Sequence, residues 1–215
     1  MNLAEVALLS TRPETATWYR VAGTTWLTSA IATRHTPAAS SRFYDPYTAS
    51  PQFPTLYLSD SNLVAMFEAQ ALFGSLTTPG GPVPAPRGNW AVLTVSVQLQ
   101  AIVDLSQVAS QAAIDISVQE LTGDWPAYRL RSSATNVVAP VGTAPTQMLG
   151  EAIHRDVRLL EGFATVSAKV PTNRNLIIFP DHLGAGSFVE YTWHDGRGTR
   201  RYRVDQDHPD GEMIT

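Results

Sequence analysis

Residues 55–73 read TLYLSDSNLVAMFEAQALF. Leu56 and Leu58 point one way from a short extended run and Tyr57 the other, the alternation of a half-buried strand. Ser59-Asp60-Ser61 then offers the side-chain oxygens that cap a helix start, and the apolar spacing predicts a helix over 61–73. Moving outward, Trp18–Ala22 reads as a strand with Trp18, Arg20 and Ala22 on one face and Tyr19 and Val21 on the other. Trp90–Val97 alternates in the same way. Phe163–Lys169 and Asn175–Phe179 are two more strands, and Phe188–His194 with Arg200–Asp205 flank a hairpin turn at Asp195-Gly-Arg-Gly198. Further helices are expected over 107–121 and from Thr146 to about Leu160. Residues 34–54, 74–89 and 122–145 read as irregular loops. Strands and helices do not alternate as regular βαβ units, so the class is α+β with a mostly antiparallel or split sheet.

The 215 residues suit one domain spanning 1–215, and 44% hydrophobic with 16% charged residues supplies a real core. A disordered chain, a coiled coil and a collagen-like fibre are excluded. With no cysteine, thiolate metal sites, disulfide scaffolds and cysteine nucleophiles drop out. The net charge of −4 argues against direct nucleic-acid binding. No apolar run is long enough for a membrane span, and the N-terminus makes a poor signal peptide, so the expected location is cytoplasmic.

Familiar motifs are absent: no phosphate-binding loop, no dinucleotide fingerprint and no zinc-protease helix. His154, His182, His194 and His208 look scattered, without ligand spacing, and no metal is expected. Asp205, Asp207 and Asp210 miss the spacing of a calcium loop and read as a solvated acidic tail. Glu68 stands out, because its neighbours three and four residues away are Val64, Ala65, Ala71 and Leu72. A carboxylate there has no basic partner on its own helix and needs donors from elsewhere if it is buried. Arg20 and Arg42, taken singly, read as exposed arginines with apolar stems. Tyr57 alone reads as packing, and Ser167 as a strand serine facing water. Asp45 with Glu68 could make a two-carboxylate hydrolase, though nothing in their spacing requires it.

Order along the chain says more. Trp18-Tyr-Arg20-Val-Ala is followed by Ser41-Arg42-Phe-Tyr44, Thr55-Leu-Tyr57-Leu-Ser-Asp and Ala65-Met-Phe-Glu68. Trp125 comes next, then Val166-Ser167-Ala-Lys-Val-Pro171 and Asn175-Leu-Ile-Ile-Phe-Pro180. Over residues 17–183 this resembles the RES domain, named for its arginine, glutamate and serine and found as the toxin of Xre–RES toxin–antitoxin pairs. The hairpin and tail over 184–215 fall outside the resemblance. Ser40-Ser41-Arg42-Phe43-Tyr44 stands where the family usually has Gly-Gly-Arg-Trp-Asn.

The resemblance implies an ADP-ribosyltransferase-like fold, a split mixed sheet with flanking helices around an NAD cleft. It implies an enzyme that consumes NAD as substrate, by glycohydrolysis, phosphorolysis or transfer of ADP-ribose to a protein acceptor. Glu68, Arg42 and Ser167 would then be catalytic, and Arg20, Arg42, Tyr57 and Ser167 would bind NAD. The residue types suit these roles. A carboxylate stabilises an oxocarbenium-like state, arginine suits a pyrophosphate, a tyrosine face stacks on nicotinamide, and a serine hydroxyl fixes an amide or ribose oxygen. A cognate Xre-type antitoxin is the implied protein partner, drawn to Arg20 and Arg42 by its carboxylates. The alternative is a degenerate, non-catalytic module that holds a nucleotide or a protein.

Overall fold

The structure, a computed structural model, describes residues 1–74, 81–85, 88–130, 142–194, 196 and 198–214. In chain order its elements are β1 (Thr11–Gly23), β2 (Leu56–Ser59), α1 (Asn62–Glu68), β3 (Leu72–Phe73), β4 (Val83–Pro84) and β5 (Trp90–Asp104). There follow α2 (Val108–Ala113), α3 (Val118–Thr122), α4 (Ala127–Leu130), α5 (Pro145–His154), β6 (Gly162–Val166), β7 (Arg174–Ile178), β8 (Phe188–His194), β9 (Thr199–Asp205) and β10 (Glu212–Ile214).

The strands form one eight-stranded sheet in the order β1-β2-β7-β6-β5-β8-β9-β10, with β3 and β4 as a separate pair. Because β1 also pairs with β5, the first five strands close on themselves. β5 is long enough to hold β1 along one side and to give the other side first to β8 and then to β6. Among the described strands only the β5–β6 pairing is parallel, which makes the sheet mixed. The β1–β5 ladder shifts register between Arg12 and Glu14, where Pro13 has no N–H to give.

Alternation along these strands builds two cores. Trp18, Leu56, Leu58, Leu93, Val95, Leu176 and Tyr191 share the larger, and Phe43, Phe53, Phe163, Ile177 and Phe179 lead the other. The faces expected for Trp18–Ala22 are found: Trp18 lies in the large core, while Val21 packs with Ala65 and Ala71 of and beyond α1.

Several helix limits differ from expectation. α1 ends at Glu68, not at 73, because Gln70 takes a left-handed conformation (φ 57°) and the chain turns back into β3. The helix expected over 107–121 is two, divided where Asp115 is left-handed (φ 49°), and α3 starts with a reciprocal Ser117–Glu120 capping box. α5 stops at His154, so Val157 is exposed although its spacing matched the apolar face. The tail is not simply solvated, since Glu212–Ile214 adds the edge strand to β9. Parts of the expected loops, residues 75–80, 86–87 and 131–141, lie outside the described residues. No helix among the described residues is long and apolar enough to cross a membrane.

Candidate functional site

A cleft of about 550 Å³ opens between α1, the ends of β1 and β2, the 39–43 loop and the 124–126 segment. Its lining includes Arg20, Arg42, Tyr57 and Glu68, four of the five residues singled out from sequence. Ser167 does not line it, and neither does Asp45, so the two-carboxylate pairing with Glu68 is not formed there.

Arg20 departs from the exposed stem expected of it. Sharing the Trp18 face, its guanidinium turns inward and donates to the Ala30 carbonyl at 2.7 Å and the Tyr57 carbonyl at 2.8 Å. Burial pushes it down to about 10, so it remains a cation at neutral pH. No carboxylate pairs with it among the described residues.

Arg42 is placed by a well-anchored loop. The Tyr57 hydroxyl lies 2.7 Å from Ser41 Oγ and accepts the Phe43 N–H at 3.1 Å. Ser41, where the family usually has glycine, thus gives the loop a side-chain anchor. Burial pushes the Tyr57 phenol up to about 12. From α5, Gln147 Nε2 donates to the Ser41 carbonyl at 2.9 Å. Gly150 lets the loop approach closely, since a Cβ there would collide with the Phe43 carbonyl. Phe43 itself packs edge-on against Phe163 at 5.0 Å. Arg42 then donates to the carbonyls of Leu121 (3.2 Å) and Gly123 (2.6 Å), capping the end of α3 and holding the Asp124–Trp125 wall. Burial lowers its proton affinity, while Glu68, Tyr57 and Asp124 oppose that shift.

Glu68 stands at the C-terminal end of α1, not in mid-helix, and is exposed to the cleft. The donors it needed are neutral. Its Oε1 accepts from Ser167 Oγ at 2.8 Å and from Asn175 Nδ2 at 2.7 Å. Ser167, expected to face water, is fully buried behind Glu68, with its oxygen also accepting the N–H groups of Lys169 (3.1 Å) and Val170 (3.2 Å). Sequence reasoning missed Asn175, Ser59, Ser41 and Gln147. An amide opening the apolar run Asn175–Phe179 was the available signal, but its partner across β2 is visible only in the sheet register.

Outside the cleft, His154 and His182 are not scattered: with Asp181 they bring three ligand-type atoms within 4.8 Å of one another. His154 Nε2 lies 2.9 Å from Asp181 Oδ2, and His182 Nδ1 lies 3.0 Å from the Leu160 carbonyl. The two rings stack at 4.1 Å and 20°, and His154 stacks in turn on Phe53. The stacking packs both rings against the aromatic edge of the core.

The RES domain profile matches residues 17–204, beyond the 183 expected and through β8 into β9. The chain belongs to the RES domain family. Among solved structures it is similar to one described as the M. tuberculosis MbcT–MbcA toxin–antitoxin complex, with a TM-score of 0.60 and 17% identity over 96% of this chain and 93% of that one. That likeness shows a shared fold. Comparison with curated protein sequences found no match.

Proposed function

We propose that this chain is an NAD-consuming enzyme, cleaving the bond between nicotinamide and ribose, and that it acts in the cytoplasm as the toxin of a toxin–antitoxin pair. The observation that carries the reading is the charge arrangement in the cleft. Arg20, Arg42 and Lys169 line one cavity with the carboxylates of Glu68 and Asp124, and Arg20, Arg42 and Glu68 are not neutralised by an ion pair among the described residues. An anionic dinucleotide suits Arg20 and Arg42, whose planar donors match a pyrophosphate. Breaking the glycosidic bond develops positive charge on the ribose, which Glu68 would stabilise while accepting from ribose hydroxyls. Departing nicotinamide leaves with the bonding electron pair, and water, phosphate or a protein side chain supplies the new bond to C1′. Tyr57 and Trp125, aromatic residues suited to stacking on nicotinamide or adenine, line the same cavity. Family membership supports the toxin role, and the similar fold in a toxin–antitoxin complex supports a cognate antitoxin that covers this cleft.

The test is release of free nicotinamide from NAD by the purified chain, with Glu68→Gln as control. Turnover by the wild type that the variant lacks supports the reading. Binding of NAD without release in the wild type would leave a nucleotide-holding module instead.

A further inference from the structure

We propose that Asn175, oriented by Ser59, is a positioning residue for Glu68. It commits one carboxylate oxygen to the protein and leaves the other for the substrate, an inference that rests on the NAD-cleaving reading of the cleft. The bonding pattern admits one direction only. Ser59 closes β2 directly opposite Asn175 in the β2–β7 ladder, and its buried hydroxyl donates to Asn175 Oδ1 at 2.8 Å. With Oδ1 so engaged, the amide nitrogen must face Glu68, to which it donates at 2.7 Å. The opposite amide orientation would set an oxygen against a carboxylate oxygen.

Ser167 is constrained in the same sense. Its oxygen already accepts two backbone N–H groups, so its single proton goes to Glu68 Oε1. Both donors therefore fall on Oε1, while Oε2 has no partner among the described residues. Two donors on one oxygen hold the carboxylate against rotation. They also offset an unfavourable setting, because a helix C-terminus repels negative charge.

The donors are rigid because β6 and β7 present them together. Ser167 N–H donates to the Asn173 carbonyl at 2.8 Å. Asp60, the residue after β2, accepts from Asn173 Nδ2 and from the Arg174 N–H, both at 2.9 Å. β2 thus fixes Asn175 twice, through the side chain of Ser59 and through the clamp made by Asp60.

The experiment compares Asn175→Ala, Ser59→Ala and Ser59→Thr with the wild-type full chain by two readouts. In NAD-free protein, the side-chain amide resonances of Asn175, assigned by their loss in Asn175→Asp, should shift in both Ser59→Ala and Glu68→Ala. Unmoved resonances in either variant overturn the relay, whatever the protein does to NAD. In nicotinamide release, Asn175→Ala should lower kcat about ten- to thirtyfold, the effect of one charge-assisted hydrogen bond, with KM for NAD within about twofold. Ser59→Ala should show a smaller loss in the same direction, and Ser59→Thr, which keeps the hydroxyl, should restore it. Changes of kcat and KM alike, or no rescue in Ser59→Thr, overturn the positioning role. Failure of the wild type to release nicotinamide would sink the NAD reading while the amide resonances still decide the relay.

Discussion

The charged residues of the cleft and those of the surrounding sheet are held in opposite ways. Away from the cleft, most of the cations with carboxylate neighbours meet them directly: Arg12 bridges Glu14 (2.5 Å) and Asp104 (3.0 Å), Arg158 holds Asp156 (2.7 Å), and Arg203 meets Asp205 (2.8 Å) and Glu190 (3.5 Å), although buried Glu161 is held by backbone N–H groups. In the cleft, Arg20 and Arg42 donate to backbone carbonyls, and Glu68 accepts from a serine and an asparagine. A neutral dipole fixes the geometry of a charged group without cancelling its charge. The sheet uses its charges on itself, whereas the cleft keeps its own available to a ligand, at a desolvation cost that burial of Arg20 makes plain.

The sharpest way to break this contrast is to remove one cleft charge while keeping its shape. Glu68→Gln should fold normally and still bind NAD. Its nicotinamide release should fall by a factor of about 10² to 10³, as for loss of one preorganised electrostatic contact. Wild-type turnover in this variant would place Glu68 among ordinary structural acids. Arg42→Lys comes next. It keeps the charge but not the planar fork, so KM for NAD should rise about tenfold, and the Asp124–Trp125 wall loses its tie to the loop. An unchanged KM would show that Arg42 serves only to cap α3.

Much of this contrast was legible in the sequence, and the missing part has a physical cause. Arg20, Arg42, Tyr57 and Glu68 could be named because their order along the chain is distinctive, and the cleft gathers all four. A mostly antiparallel or split sheet followed from the irregular alternation of strands and helices, and its mixed character from the family resemblance. What sequence could not give was direction: that Arg20 turns inward, or that Ser167 stands behind Glu68 instead of facing water. Those depend on register, as with Ser59 opposite Asn175, which joins residues 116 positions apart. Helix ends failed for a related reason. Gln70 and Asp115 adopt left-handed backbone without being glycine, so the apolar periodicity runs on past the true ends.

A smaller effect is expected at the stacked histidines, a third way of treating a titratable group, by burial in an aromatic edge. Burial and the neighbouring His154 lower His182 from its ordinary value of 6.5, against weaker opposition from the Leu160 carbonyl and Asp181. The sign follows directly: the unfolded chain takes up a proton at a pH where the folded ring resists it. This contribution is therefore fully present above about pH 6.5 and is lost as pH falls through the depressed folded value. Thermal melts should show Tm declining as pH is lowered from 7 toward 5. His182→Asn, which can still donate to the Leu160 carbonyl, should flatten that decline. An equal slope in the variant would assign the acid sensitivity elsewhere.

The smallest expected effect lies on the β8–β9 hairpin, which carries Arg200, Arg201 and Arg203 near one edge of the sheet. The hairpin is not the edge, because β10 covers β9, and Arg200 and Arg203 are half-buried; Arg197 lies outside the described residues. Arg201 is exposed and reaches Glu190 Oε2 only at 3.7 Å, an oxygen that Arg203 also approaches at 3.5 Å. Arg201→Gln removes the weaker partner of a carboxylate that keeps the other. Exposed ion pairs contribute about 0–1 kcal/mol, so Tm should drop by no more than a few degrees, and by less in high salt. Nicotinamide release should stay within about twofold of wild type, since none of the described hairpin residues lines the cleft. A large loss of turnover with an unchanged melt would show that this region contributes charge to the cleft after all. The division between self-paired sheet and open cleft would then have to be redrawn to include it.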